Sequence, residues 1–172
     1  VEVKISTLRL LLVQLSVKNL ETGLVSVRQL SEDLAIPLVD DLMQGNSEGA
    51  VKKKLEKMRA VPEELHPWYT YWLIVILEKN IGAGLVGFKG APDAIGSVEI
   101  GYCMEKAFQR RGYMTEAVVA LTDWGFSHRE CLRVTASHVL VDNYPSQRVL
   151  TKAGFRETTK DVGGIDYVKE RD

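Results

Sequence analysis

Cysteine is scarce: Cys103 and Cys131 are the only two in 172 residues. They allow at most one disulfide and lack the clustered Cys/His spacing of a zinc site, which favours a reduced, cytoplasmic protein without a metal. An excess of one charge is also lacking. Lys and Arg number 22 against 23 Asp and Glu, a net charge of -1, so no overall field draws the chain to nucleic acid or an anionic membrane. Any anion it binds is held locally. No apolar run approaches the roughly 18 residues of a membrane span. The opening VEVKISTLRLLLVQL has no small-residue cleavage signal before the charged Lys18 and Glu21, and reads as a strand rather than a targeting peptide. There is no internal repeat, linker or low-complexity tract. What remains, 45% hydrophobic and 26% charged, is ordinary globular composition, sufficient for one domain over residues 1–172 with a sizeable core.

Leu8 to Leu15 reads as a single strand that stops at Ser16, a cap for a helix entered through Val17. From Ser47 to Arg59, Val51, Leu55 and Met58 recur at helical spacing, with Ser47 placed as the N-cap and Pro62 as the stop. The run Lys52-Lys53-Lys54 reads as a solvated face of that helix. YTYWLIVIL, from Tyr69, has strong β propensity, and Asn80, Gly82 and Gly84 break it before Leu85 to Phe88, a hairpin pattern. Ser97 to Cys103 alternates, sending Val98, Ile100 and Tyr102 to one face and Glu99, Gly101 and Cys103 to the other. A helix from Gly112 to about His128, a strand over 132–140, a short helix ending at Gly154 and a last hairpin turning at Gly163-Gly164 complete the chain. This is an α+β sheet domain with helices on its faces.

Chemistry concentrates in Gln109-Arg110-Arg111-Gly112-Tyr113-Met114-Thr115, where a loop becomes a helix. The first N–H groups of a helix have no intrahelical partner, and the peptide dipoles add partial positive charge, so the position favours an anion. Gly112 lacks the Cβ that would hold an anion off; Arg110 and Arg111 add fixed charge, and Thr115 adds a hydroxyl. These residues form a candidate pyrophosphate cradle. Relief of a tight turn beside solvated arginines is the alternative.

The company of that loop carries a resemblance. Val98-Glu99-Ile100-Gly101-Tyr102, then Gln109-x-x-Gly112-x-Met114, then Asn143, Ser146 and Lys152-x-Gly154-Phe155 resemble the successive motifs of the GCN5-related N-acetyltransferase (GNAT) superfamily. Thr7-x-Arg9-Leu10-x-Leu12 is similar to its ribosomal-protein N-terminal acetyltransferase branch. The resemblance implies a mixed, mostly antiparallel sheet of six to seven strands with splayed central strands. It implies acetyl-coenzyme A as co-substrate, no metal, and acetyl transfer to a primary amine, either a protein N-terminus or a small amine. Gln109 to Thr115 would bind the diphosphate, and Tyr102, Cys103, Met104, Asn143 and Ser146 the pantetheine arm. The Met104 amide would polarise the thioester carbonyl. Two departures stand out: Met114 occupies a position where the family prefers a small residue, and Leu150 one where many members carry an acidic tyrosine.

For catalysis the candidates are Glu99 as base, Ser146 as the hydroxyl serving the leaving sulfur, and the Met104 N–H. Each has a plainer reading. Glu99 suits an ion pair on a half-exposed sheet face, and Ser146 and Asn143 suit helix capping. Cys103 has no base partner and reads as a small buried residue; His66 and His128 read as surface residues, and His138 as a candidate for the acceptor side. A non-catalytic acyl-coenzyme A sensor or interaction module is the alternative function. An exposed edge strand or the final hairpin leaves a homodimer open.

Overall fold

The structure is a computed structural model that describes residues 3–172. In chain order its elements are β1 (Lys4–Ser6), β2 (Leu10–Gln14), α1 (Val17–Val25), α2 (Val27–Leu34), α3 (Asn46–Arg59), α4 (His66–Tyr69), β3 (Trp72–Ile76), β4 (Ile81–Phe88), β5 (Ser97–Met104), α5 (Tyr113–Phe126), β6 (Arg133–Val139), α6 (Tyr144–Lys152), β7 (Arg156–Asp161) and β8 (Gly164–Glu170). The strands form one eight-stranded sheet, β1-β2-β3-β4-β5-β6-β8-β7. Every pairing is antiparallel except β5 with β6, which α5 connects as a crossover.

The apolar opening of the chain is a hairpin, not one strand. Ile5 pairs with Leu12 across a turn whose Leu8 is 93% exposed. Thr7 closes that turn: its hydroxyl accepts from the Leu10 N–H at 2.9 Å. Ser16 caps α1 as its position suggested, in a reciprocal box with Asn19. Ser47, by contrast, does not cap α3. The helix starts at Asn46 after Gly45 at φ 59, and the Ser47 hydroxyl donates back to the carbonyls of Leu42 and Gln44. Nor do Gly82 and Gly84 interrupt the second hairpin, because β4 runs through both. A Cβ on Gly82 would lie 2.5 Å from Leu38 Cδ2, and one on Gly84 2.8 Å from the Cys103 carbonyl oxygen. Close packing, not a turn, is what requires glycine there.

Helices cover both faces. On one, α5 presses Ala117, Val118 and Leu121 into the core, and Trp68, Trp124 and Phe88 meet at ring-centroid separations of 4.7 to 6.3 Å. His128 joins this cluster, 4.4 Å from Trp124, and His66 donates from Nε2 to the Met58 carbonyl at 2.8 Å, so neither is a free surface residue. On the other face, α3 buries Val51, Leu55 and Met58. It also buries Lys54, at 6% exposure, correcting the expectation of a wholly solvated lysine run.

Candidate active site

The parallel pairing that holds the sheet together is short. Only Ser97 with Arg133, Val98 with Val134 and Glu99 with Thr135 are in register. Past Glu99, β5 stays with β4 while β6 follows β8 and bends between Ala136 and Val139, with His138 at φ 55. The two central strands therefore diverge into a V. Register fixes which main-chain groups face it. The Lys89 N–H donates to the Glu99 carbonyl and the Glu105 N–H to the Ala83 carbonyl, so the hydrogen-bonded pairs of β4 and β5 fall on Glu99, Gly101, Cys103 and Glu105. The N–H groups of Tyr102 and Met104 consequently point away from β4, into the V.

Beside the V, α5 begins. Gly112 is its N-cap at φ 80, and no side chain caps it. Glu116 makes the first intrahelical bond, to the Gly112 carbonyl at 3.1 Å. Among the described residues, the N–H groups from Arg110 through Thr115 have no protein acceptor. Arg110, at φ 62, and Gly112 are both left-handed, so successive N–H groups converge as in an anion nest. The Arg110 and Arg111 side chains are exposed and have no acidic partner among the described residues. Tyr113 and Met114 are buried at 6% and 8% exposure, so both present only their amides here. A Cβ on Gly112 would meet a single heavy atom within 4 Å, Arg9 Nη2 at 3.2 Å. The donors are thus free of protein acceptors and lie beside two exposed arginines, as a diphosphate requires.

The contacts that brace this turn come from far along the chain. Glu116 reaches back to the β1–β2 hairpin, accepting from the Thr7 hydroxyl at 2.6 Å, the Arg9 N–H at 2.8 Å and Arg9 Nε at 2.7 Å. Burial alone would raise the Glu116 pKa, but these donors together hold it below the ordinary carboxylate value. Arg9 then lies over the Tyr113 ring and donates through Nη1 to the Arg111 carbonyl at 2.9 Å. These partners are more than 100 residues apart in sequence; the Thr7-x-Arg9 pattern was the one visible trace of them. Gln109 serves as another brace, donating from Nε2 to the Met104 carbonyl at 2.9 Å.

Across the V, Asn143 caps α6, its Oδ1 accepting from the Ser146 N–H at 3.3 Å, which leaves its amide NH2 free. Ser146 Oγ lies 2.7 Å from the Tyr102 hydroxyl. Burial raises the Tyr102 pKa against the lowering effect of that bond, so the phenol keeps its proton. Leu150 is fully buried and offers nothing to the V. Glu99, on the opposite face of β5, is paired with Lys89 at 2.7 Å and is half-buried. Cys103 is exposed rather than buried. Desolvation by the sheet around its sulfur still raises its pKa and keeps it a thiol. His138 points to solvent near Asp166 and does not enter the V.

A splayed mixed sheet with a free helix N-terminus beside the split is an acetyltransferase architecture. The comparisons agree: residues 9–156 match the acetyltransferase (GNAT) domain, and the chain belongs to that family. It is 40% identical over 86 residues to the uncharacterized N-acetyltransferase YjdG of Bacillus subtilis (strain 168), covering 49% of each chain. It is 41% identical over 64 residues to the probable N-acetyltransferase YjcK of the same organism, covering 37% of this chain and 35% of that one. The matches thus span about half or less of these curated relatives. Over whole chains the fold is that of RimL, a ribosomal L7/L12 alpha-N-protein acetyltransferase solved with coenzyme A (TM-score 0.69, 18% identity, 98% of each chain). It is equally that of a GNAT-family acetyltransferase from Bacillus anthracis (TM-score 0.64, 20% identity, 98% of each chain).

Proposed function

We propose that residues 1–172 act as one N-acetyltransferase domain, moving an acetyl group from acetyl-coenzyme A to a primary amine, a protein N-terminus or a small amine, by direct attack. The observation that carries this reading is the set of unclaimed amides from Arg111 to Thr115 beside a V into which the Tyr102 and Met104 N–H groups aim. When bound, acetyl-coenzyme A supplies an activated acetyl carbonyl and a thiolate leaving group. The cradle amides, with Arg110, Arg111 and the Thr115 hydroxyl, hold the diphosphate. Tyr102 main-chain groups and the free Asn143 amide serve the pantetheine arm, and the Met104 N–H draws charge on the acyl oxygen. Gln109 acts indirectly, fixing the Met104 peptide.

Proton traffic falls to two groups. Glu99 takes the surplus proton of the amine, directly or through water, once its carboxylate is released from Lys89. Ser146, backed by the protonated Tyr102 hydroxyl, donates to the departing sulfur, a task that the buried Leu150 cannot perform. The Cys103 thiol forms no acyl-enzyme in this scheme. RimL's name, which specifies an alpha-N-protein acetyltransferase, supports including protein N-termini among the acceptors.

Thiol release with a panel of amines, beside calorimetric titration of coenzyme A, tests the proposal. An acetyltransferase shows amine-dependent release, whereas the alternative, an acyl-coenzyme A sensor, binds without turnover. Glu99→Gln should lower kcat/KM by about 10²- to 10⁴-fold at unchanged coenzyme affinity; an unchanged rate and pH profile would remove Glu99 from the mechanism.

A further inference from the structure

The sheet face covered by α3, opposite α5, contains a charge imbalance. Gly87 and Gly101 stand opposite each other in register. A Cβ on Gly101 would find one heavy atom within 4 Å, Lys89 Cε at 3.7 Å. Between Glu99 and Cys103, which share this face, the strand therefore presents bare backbone to an open space. Three ammonium groups gather beside it. Lys54 Nζ donates to the Phe88 carbonyl at 2.6 Å, Lys57 Nζ to the Lys89 carbonyl at 3.0 Å, and Lys89 Nζ to Glu99 at 2.7 Å.

Among the described residues, Glu99 is the one carboxylate paired with any of the three, and Lys54 and Lys57 bond backbone carbonyls instead. On the same helix Lys52 pairs with Glu48 and Arg59 with Glu21. Lys54 is the extreme case, since it is 6% exposed and lies 4.4 Å over the Tyr71 ring with only a neutral carbonyl as hydrogen-bond partner. Burial first, then the nearby Lys57 and Lys89 charges, bring its pKa down to about 7. A buried base among like charges is destabilising in its charged form, and an incoming anion relieves it.

We propose that the acetyl acceptor carries a carboxylate near its amine, held by Lys57 and Lys89 beside the Gly101 floor, with Lys54 supplying positive potential from beneath. The inference rests on the acetyltransferase reading and adds a substrate class to it. It also couples binding to chemistry. A carboxylate that engages Lys89 competes with Glu99 for the same ammonium and frees Glu99 to act as base. As the amine nitrogen bonds to the acetyl carbon and the C–S bond breaks, the amine's surplus proton passes to Glu99 and the thiolate takes one from the Ser146 hydroxyl, which solvent restores.

The test compares Glu-Ala-amide with Gln-Ala-amide, acceptors alike in size and differing by one carboxylate. In the parent, kcat/KM for the acidic dipeptide should exceed that for the neutral one by about tenfold or more, as expected for charge-assisted pairing. In Lys57→Met and Lys89→Met the ratio should fall to within about threefold, whereas Lys53→Met, an exposed neighbour, retains it. A turnover-free arm titrates the N-acetyl products into coenzyme A-loaded protein, where the same preference should appear in affinity. Equal turnover and equal affinity for both dipeptides overturn the carboxylate subsite while leaving the transferase reading intact. Preferential binding of the acidic product, lost in Lys57→Met and Lys89→Met, together with no amine-dependent thiol release across the wider amine panel, supports an anion subsite and overturns the transferase reading.

Discussion

Gly112→Ala separates the cost to the fold from the cost to the cofactor. Gly112 sits at φ 80, where a Cβ costs about 1–2 kcal/mol. Its one close neighbour would be Arg9 Nη2 at 3.2 Å, the end of a flexible side chain that can give way. Stability should therefore fall by about 1 kcal/mol, lowering the unfolding midpoint by roughly 2–4 °C for a chain of this size. Coenzyme affinity should fall further. The new methyl group occupies the approach to the converging amides, and losing one charge-assisted hydrogen bond of about 1.5–3 kcal/mol corresponds to roughly 10- to 100-fold weaker binding. Calorimetry with coenzyme A and thermal unfolding read the two effects separately. Gly49→Ala is the control: it lies inside α3 with nothing within 4 Å of the added Cβ, so it should gain about 0.5–1 kcal/mol and leave coenzyme affinity alone. A Gly112→Ala protein with a lowered midpoint and parental affinity would refute the assignment of the diphosphate to this turn.

Two further substitutions test the supports around the site. Glu116→Gln removes the charge that anchors Thr7 and Arg9 to α5 and should cost about 1–2 kcal/mol at pH 7, the half-exposed Arg9 keeping the value low. Because the folded-state pKa of Glu116 is depressed, its contribution is present above the unfolded value of 4.5 and lost as pH falls through the folded one. The gap between parent and variant in urea unfolding should close on acidification; a constant gap would contradict the clamp. Lys54→Met probes a buried cation in place of a paired carboxylate. With a folded pKa of about 7 against 10.5 unfolded, the unfolded chain binds more protons across that window, so parental stability rises from pH 7 towards pH 10 by on the order of 4 kcal/mol. The variant should lack this rise, and parallel pH profiles would show that Lys54 titrates normally.

What the sequence revealed and what it concealed have separate physical origins. Strand β5 was legible because alternation reports directly on its two faces, and the α5 start because a glycine among arginines is a local signal. The β1–β2 turn was hidden by Leu8, an apolar residue placed in solvent, so that two strands read as one. Gly82 and Gly84 read as breakers because sequence shows their missing side chains but not Leu38 or the Cys103 carbonyl packed against them. Ser47 had the spacing of a cap, yet Gly45 already provided the turn. The burial of Lys54 depends on a carbonyl 34 residues away, and the Glu116 clamp on partners over 100 residues away. The first leaves no pattern in a local window, and the second only the Thr7-x-Arg9 trace. The partners of Glu99 and Ser146, Lys89 and Tyr102, emerged only with the three-dimensional register.

The claim on which the rest depends is that the N–H groups from Arg111 to Thr115 receive the diphosphate of acetyl-coenzyme A. Amide chemical-shift mapping during a titration with coenzyme A tests it most directly. Saturable shifts should be largest at Gly112, Tyr113, Met114 and Thr115, with Tyr102 and Met104 moving at the same midpoint. Saturable binding that leaves these amides unshifted, or no binding at all, would contradict it.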